Sequence, residues 1–393
     1  MPIKSLARAA AFALALVLFG QTASSQTPPI KIGFVSTFSG PVGQLGDEIN
    51  SGFQLALDQF GGKLGGVPVE VLIGDDQAKP DVARQVVDKM IEQDKVDVLT
   101  GMLNSSILLA IARPAFDANK IVISSIAAPS LLAGKQCNVN FFVAGPQNDT
   151  SSEAMGQYLQ AKGVKRVVLI AANYPAGRDK MAGFKRHFKG EVLAELYPPF
   201  TQMDYASEIA QIRAFKPDAV FEFLPGGIGI NFLKQFHGAG LDKEVKLYAD
   251  FLDETMVGAA GDSSLGTHTA SFWTSTIQNP VNAKFVNAFE KKFARLPSLY
   301  AAIGYDTALL LDTAIRTAGA NAKDPKVLRK AIADARFDAT RGRFGFNTNQ
   351  IPLTDFYLST PARDSKGRWL LTAQEKIASD QKDAYASQCS YTN

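Results

Sequence analysis

The most constraining stretch of the sequence is Val96–Leu132, where two short apolar segments are each followed at once by a hydroxyl-bearing turn and the start of a helix. We predict strands over Val96–Leu99 and Ile121–Ile123, with a helix over Ile107–Ala118 between them. A crossover helix joins parallel neighbours, so both turns should lie at the same edge of one sheet. Ligands of open α/β sheets bind outside the carboxyl ends of the strands, which makes this edge the candidate binding site.

The two turns carry the first group of candidate ligand-binding residues. These are Asn104, Ser105 and Ser106 in the first turn, and Ser125, Ile126, Ala127 and Ala128 in the second. Free backbone N–H groups and the positive end of a helix favour a carboxylate at such a place. The alternative is that the polar side chains, including that of Ser124, only cap the helices.

The same alternation of strand and helix continues along the chain and predicts an α/β fold with parallel sheets. One series of units runs from strand Ile30–Ser36 to strand Phe141–Val143, and a second runs from strand Arg166–Ala171 to strand Lys246–Asp250. Two series of similar size indicate two lobes rather than one large sheet. The glycine-rich turn Ser39–Gly46 does not match G-x-G-x-x-G, so a dinucleotide fingerprint is absent there.

The N-terminus reads as a targeting segment. Lys4 and Arg8 precede an apolar run, Ala9–Gly20, that is too short to span a bilayer, and Ala23–Ser25 fits a cleavage site. We therefore predict a signal peptide over residues 1–25 and export to the periplasm. Its removal lowers the formal charge from +3 to +1, which gives no electrostatic case for nucleic acid or membrane binding.

Cys137 and Cys389 are the two cysteines of the chain, and in an exported protein such a pair predicts one disulfide. The bond would tie the C-terminal tail to the body of the protein. The cysteines and the three histidines show no spacing typical of a metal site, and we expect neither a metal nor a cofactor. An enzyme is the second functional class, but there is no G-x-S-x-G elbow and no cluster of histidines.

Four stretches together carry a resemblance to a known family. They are IKIGFVSTFSGPVGQLGDEINSGFQLAL from Ile30, LIGDDQAKPDVARQVVDKMI from Leu72, TGMLNSSILLA from Thr100 and VISSIAAPSLL from Val122. In these stretches and in the order of its elements, the chain resembles the periplasmic substrate-binding proteins of ABC importers, of the branched-chain amino-acid-binding type. The similarity covers essentially the whole mature sequence.

This resemblance implies two Rossmann-like lobes joined by three hinge crossings, the type I periplasmic binding protein fold. It implies an N-terminal lobe over residues 26–145 and 275–350, a C-terminal lobe over 146–274 and 351–377, and a tail over 378–393. The crossings would lie near Val143–Gln147, Phe272–Ser275 and Gln350–Leu353. It also implies a protein expected to be monomeric, which captures a small carboxylate and delivers it to a membrane permease.

The resemblance extends to further site residues. Leu45 lies where the family commonly places an aromatic side chain. The family's aromatic residue in the first turn of the second lobe corresponds to Ala176 or, with a small shift, to Tyr174. Pro225 follows the third strand of that lobe. Phe251 stands near the acidic residue that pairs with a ligand ammonium in the family, with Asp250 and Asp253 as neighbours.

The ligand class follows from the two ends of the expected site. Both carboxylate turns are present, whereas the acidic partner of an ammonium is replaced by Phe251, and Asn173–Asp179 is similar to members that take up aromatic carboxylates. We therefore predict an aromatic monocarboxylate, benzoate-like or hydroxycinnamate-like. The alternatives are a branched-chain or other hydrophobic amino acid, with Asp250 or Asp253 binding the amine, and an exported ligand sensor.

Overall fold

The computed structural model describes residues 28–391, so the signal peptide predicted over residues 1–25 lies outside the described residues. Within residues 28–391, none of the helices combines the length and the apolar character that crossing a membrane requires. The described chain forms two α/β lobes, each built around its own sheet, as the repeated alternation of strand and helix predicts.

The main elements follow in chain order. The first group is β1 (Ile30–Ser36), α1 (Gly43–Gln59), β2 (Lys63–Leu64), β3 (Val67–Asp75), α2 (Pro80–Glu92), β4 (Val98–Thr100), α3 (Ser105–Asp117), β5 (Ile121–Ser124), α4 (Ser130–Ala133) and β6 (Phe141–Val143). The second is α5 (Thr150–Ala161), β7 (Arg166–Ala171), α6 (Pro175–His187), β8 (Glu191–Leu196), α7 (Ala206–Phe215), β9 (Ala219–Phe223), α8 (Gly227–Gly238), β10 (Lys246–Asp250), α9 (Glu254–Ala260) and β11 (His268–Ser271). The last is α10 (Pro280–Phe293), α11 (Leu299–Ala318), α12 (Pro325–Ala333), β12 (Phe337–Ala339), β13 (Gly342–Phe344), β14 (Thr354–Arg363) and β15 (Trp369–Gln381).

The strand order of the two sheets explains where a ligand can bind. The first sheet has the order β2-β3-β1-β4-β5-β6, and the second has the order β15-β14-β11-β10-β9-β7-β8. The sequence runs in opposite directions across the sheet on either side of β1 in the first lobe and of β7 in the second. The loops after β1 and β4, and those after β7 and β9, therefore diverge and leave a crevice at the carboxyl ends of the strands.

Helices α10 to α12 return the chain from the second lobe to the first. Helix α11 packs along α1, and most of its residues are buried. The indole N–H of Trp273, just after β11, donates to the side chain of Asn282 in α10 at 2.8 Å, which fixes the start of this return. The chain then re-enters the second lobe through the antiparallel pair β14 and β15.

The structure differs from the sequence predictions mainly at the ends of elements. The apolar spacing of the sequence predicts helices that begin at Lys180 and Ile230, whereas α6 begins at Pro175 and α8 at Gly227. In α6 the proline read as a turn residue occupies the first helical turn, where its missing N–H costs nothing. The apolar pattern predicts a last strand over Trp369–Leu371, whereas β15 continues to Gln381 because pairing with β14 satisfies the backbone of this polar segment.

The predicted disulfide between Cys137 and Cys389 is confirmed, with the two Cα atoms 5.5 Å apart. Other contacts hold the same tail in place. The Tyr385 hydroxyl donates to Asp149 at 2.7 Å, and the side chain of Asn349 donates to Asp383 at 3.0 Å. The end of the chain is therefore attached to the first lobe and to the first crossing after it leaves the sheet of the second lobe.

Candidate functional site

A cavity lies between the two lobes at the carboxyl ends of both sheets, with a volume of about 430 Å³ including its mouth. The first lobe contributes Val42, Leu45, Leu103, Asn104, Ser105, Ile126, Ala127 and Tyr300, the first crossing contributes Asn148, and the second lobe contributes Tyr174, Ala176, Lys180, Phe200, Phe223, Pro225 and Phe251. Loops after β1, β4, β7, β9 and β10 thus meet at one place.

The polar side chains of the first hydroxyl-bearing turn have different roles. The Asn104 side chain accepts a hydrogen bond from the N–H of Ser106 at 2.8 Å and so caps α3. Ser105 is buried and lines the cavity, and its hydroxyl oxygen accepts a hydrogen bond from the Asn148 amide at 3.1 Å. Its proton is left available as a donor towards the cavity. Ser106 does not line the cavity.

The second turn presents apolar wall rather than free N–H groups. Ile126 and Ala127 line the cavity, whereas Ser125 and Ala128 do not. The N–H of Ala128 donates to the Asn148 side chain at 3.0 Å, and the N–H of Ala127 donates to a carbonyl of the first turn at 3.2 Å. The Ser125 hydroxyl receives a hydrogen bond from helix α11. Helix α4 begins only at Ser130, so the turn does not open directly into a helix.

Aromatic side chains form the second-lobe wall of the cavity. The Tyr174 ring stacks on Phe223 with 6.0 Å between centroids, and it packs against Phe200 at 4.7 Å. Burial, with a contribution from the carboxylates of Asp250 and Asp179, raises the pKa of Tyr174, so its phenol stays protonated at neutral pH. The wall therefore offers flat apolar surface together with a neutral hydroxyl group.

Phe251 adopts a backbone conformation that a bulky residue rarely takes. Its φ is 57°, in the left-handed region, directly after β10. Such strain is stored where the surrounding structure fixes it, often at functional sites. Here the ring is held edge-on between Phe223 and Phe272, with centroid distances of 6.2 and 5.6 Å, and it faces the cavity.

Lys180 is a cavity residue that the sequence reasoning missed. Its side chain is 1% exposed, and its Nζ lies 3.0 Å from Oδ2 of Asp250 in a fully buried ion pair. Burial lowers the pKa of Lys180, and the Asp250 carboxylate opposes that effect. Asp250, expected at the amine end of the site, does not line the cavity, because it lies behind Lys180 and also accepts hydrogen bonds from Ser151 and Ser152.

Direct contacts join the lobes beside the cavity. Asp179 of α6 accepts from the N–H of Ser130 at 2.9 Å and from its hydroxyl at 2.7 Å, so a carboxylate of one lobe caps a helix of the other. The N–H of Gly227 donates to the carbonyl of Pro41 at 3.0 Å. A Cβ at Gly227 would lie 2.7 Å from that carbonyl oxygen, so glycine is required for this approach.

Two further buried acids lie outside the cavity lining. Asp253 caps α9 by accepting from the N–H groups of Thr255 and Met256, and burial raises its pKa to about 6. Glu222 is buried in β9, and burial raises its pKa well above the usual value. Among residues 28–391, no group of histidine, cysteine and acidic side chains is arranged to hold a metal.

Glu254 should give stability a specific pH dependence. Burial, reinforced by Asp253, raises the pKa of Glu254 to about 8. The folded state therefore keeps this proton between pH 4.5 and 8 while the unfolded state has lost it, and stability falls as pH rises. Between pH 7 and 9 we expect the free energy of unfolding to fall by about 1.4 kcal/mol more in the wild type than in Glu254→Gln.

Urea unfolding at several pH values measures this difference. The same substitution at the exposed Glu92 of α2 is the matched control and should follow the wild type at every pH. A difference between wild type and Glu254→Gln that stays constant from pH 7 to 9 would contradict the assignment.

The family model described as "Periplasmic binding protein" matches residues 29–366. The chain belongs to the periplasmic binding protein family. This membership confirms the resemblance found in the sequence and the type I fold, and it identifies the chain as a binding protein rather than an enzyme.

Relatives of this periplasmic binding protein include proteins in complex with benzoic acids and proteins named for branched-chain amino acids. A solute-binding protein from R. palustris in complex with benzoate is 29% identical, with a TM-score of 0.85 and coverage of 91% of this chain and 99% of that one. One from Rhodopseudomonas palustris BisB5 in complex with 3,4-dihydroxybenzoic acid is 27% identical, with the same TM-score and coverage. The "Leu/Ile/Val-binding protein homolog 6" of Brucella melitensis is 25% identical over 90% of this chain and 93% of its own length.

Proposed function

We propose that this chain captures an aromatic monocarboxylate and delivers it to the permease of an ABC importer. The observation that carries the proposal is that one cavity combines a hydroxyl donor with a wall of aromatic rings. The Ser105 hydroxyl and the Asn104 turn stand on the first-lobe side, and the rings of Tyr174, Phe223 and Phe251 form the opposite wall. A flat ring with a single anionic end matches this distribution of groups.

Relatives support both the proposal and its main alternative. The R. palustris proteins in complex with benzoate and 3,4-dihydroxybenzoic acid share the fold over nearly their whole length at 29% and 27% identity. The curated relative at 25% identity is named for leucine, isoleucine and valine. An α-amino acid would bury an ammonium, which is costly without a carboxylate partner, and Asp250 is already paired with Lys180.

Isothermal titration calorimetry tests the ligand class. Benzoate, 4-hydroxybenzoate or a hydroxycinnamate should bind with a dissociation constant in the micromolar range or below, whereas leucine and valine should give no heat. Because a ligand at 100 times its dissociation constant adds about 2.7 kcal/mol of stability, a thermal-shift screen gives an independent readout. Tight leucine binding without a response to any aromatic acid would restore the amino-acid alternative.

The proposed ligand site comprises the residues that the cavity brings together. Of the sequence candidates, these are Leu45, Asn104, Ser105, Ile126, Ala127, Tyr174, Pro225 and Phe251. We further propose that the lobes rotate about the three crossings near residues 145, 274 and 350, which separates the two walls of the cavity. We also propose a monomer whose signal peptide is cleaved before Gln26; N-terminal sequencing and light scattering of periplasmic protein address these two points.

A further inference from the structure

Lys180 places a positive charge in the wall of the binding cavity. Its Nζ lies 3.8 Å from the ring centroid of Phe251 and 4.8 Å from that of Phe223, the two rings that face the ligand space. Attraction between an ammonium and an aromatic face holds the charge in this position. A ligand in the cavity therefore contacts a wall that already contains an ammonium group.

All three N–H groups of this ammonium donate hydrogen bonds within the protein. Nζ of Lys180 donates to the carbonyl of Asn148 at 2.7 Å, to the hydroxyl of Ser151 at 3.0 Å and to Oδ2 of Asp250 at 3.0 Å. An ammonium has three donors and no more. All three donors of Lys180 therefore have acceptors in the protein, so none is left for a ligand carboxylate. The effect of Lys180 is to neutralise the charge of Asp250.

The carboxylates nearest the cavity each have a partner within the protein, although one oxygen of Asp250 and one of Asp253 accept no hydrogen bond. Asp250 is paired with Lys180, Asp179 accepts from Ser130 and Asn148, and Asp253 caps α9. These three acids do not line the cavity, whereas Lys180 does, so an ammonium on the ligand would be buried without an adjacent carboxylate and close to a like charge. Both effects disfavour binding of the charged amine.

We propose that Lys180 determines the specificity of the cavity: its tethered ammonium occupies Asp250 and thereby excludes ligands that carry an amino group beside their carboxylate. This inference rests on the proposed function and explains how a cavity with a buried acid directly behind its wall would select simple acids. Removal of the lysine should expose the Asp250 carboxylate to the cavity and create a site for an amine.

The matched ligands 3-phenylpropanoate and L-phenylalanine test the proposal, because they share one skeleton and differ by the α-ammonium. The wild type should prefer 3-phenylpropanoate in calorimetric titrations. In Lys180→Met this preference should shrink by about 10- to 150-fold, the range expected for a new hydrogen bond between charged groups. Met fills most of the space of the lysine stem, so the rest of the cavity stays packed.

A double variant distinguishes the effect of removing the lysine from the effect of exposing the Asp250 carboxylate. In Lys180→Met with Asp250→Asn, the buried pair is neutral, and the gain in phenylalanine binding should disappear. Circular dichroism and thermal unfolding establish which variants are folded. If Lys180→Met does not fold, the single variant Asp250→Asn tests the proposal instead. This variant leaves the Lys180 ammonium without its carboxylate. Its preference for 3-phenylpropanoate over L-phenylalanine should be several-fold larger than that of the wild type.

The outcomes distinguish this proposal from the function on which it rests. The preference for 3-phenylpropanoate over L-phenylalanine is compared between the wild type and folded Lys180→Met, or Asp250→Asn if Lys180→Met does not fold. A change of less than twofold overturns the role of Lys180 and leaves the proposal of aromatic-acid binding intact. A wild type that binds leucine or phenylalanine and none of the aromatic acids overturns the proposed function itself.

Discussion

Replacing both Cys137 and Cys389 by serine is expected to lower the free energy of unfolding by about 2–5 kcal/mol. The bond joins residues 252 positions apart, so it removes a large number of conformations from the unfolded chain. In the folded protein, the tail keeps its non-covalent contacts through Tyr385 and Asp383, so the native structure should persist. Urea unfolding followed by circular dichroism gives the difference directly.

Two controls belong with this measurement. Wild-type protein unfolded in the presence of a reductant should show the same loss of stability as the double serine variant. Thiol titration of unfolded, unreduced protein from the periplasm should find no free thiol. A loss below about 0.5 kcal/mol, the size of an ordinary surface substitution, would mean that the unfolded chain gains little freedom when the bond is removed.

Substitution Ser105→Ala is expected to weaken binding of the preferred acid by about 10- to 150-fold. In the proposed site the hydroxyl would donate to the ligand carboxylate, and a hydrogen bond to a charged group contributes about 1.5–3 kcal/mol. Its oxygen accepts from the Asn148 amide and the residue lines the cavity, so the hydroxyl proton can rotate towards a bound ligand. After the substitution, Asn148 still donates to Asp179 at 3.0 Å, so one of its two N–H donors keeps its partner and the fold should be retained.

Ser106→Ala is the matched control because the two serines are adjacent at the start of α3 and only Ser105 lines the cavity. Affinity measured by calorimetry should change by less than twofold in Ser106→Ala. Equal losses in both variants would indicate a general effect on the start of the helix. An unchanged affinity in folded Ser105→Ala would remove Ser105 from the site.

Most of the fold could be predicted from the sequence because its signals are local. Strands β1, β6, β7 and β10 have the bounds that the apolar pattern predicts. Helix starts are less accurate: the pattern places the starts of α1, α6 and α8 at Asp47, Lys180 and Ile230. The helices begin instead at Gly43, Pro175 and Gly227, because turn-forming residues lie inside the first helical turn. These are also the places where the helices meet the cavity.

The role of Lys180 shows why the site was harder to predict than the fold. A lysine at the predicted first position of α6 reads as a solvated charge. The helix actually begins five residues earlier, so Lys180 lies on the same face as Ala176 and Phe184, both of them buried. That spacing was a usable signal. Its partner Asp250 lies 70 residues away in sequence, and only the tertiary structure brings the two together.

The second turn shows a similar limit. Its residues Ser125 to Ala128 carry the expected pattern, but whether a backbone N–H is free depends on its neighbours in space. Asn148 of the first crossing takes the N–H of Ala128 and also donates to Ser105. One amide side chain therefore organises both turns, and nothing in the local sequence of either turn indicates it.

The disulfide also has a topological consequence. Every strand of the second-lobe sheet, from β7 to β15, lies between Cys137 and Cys389 in sequence. The whole sheet is thus contained in a covalently closed ring. A protease that cuts one exposed loop of this lobe, such as the turn at Gly367, opens the ring without releasing a fragment. Nicked molecules should migrate as one species until they are reduced, and their two pieces stay linked in the oxidising compartment.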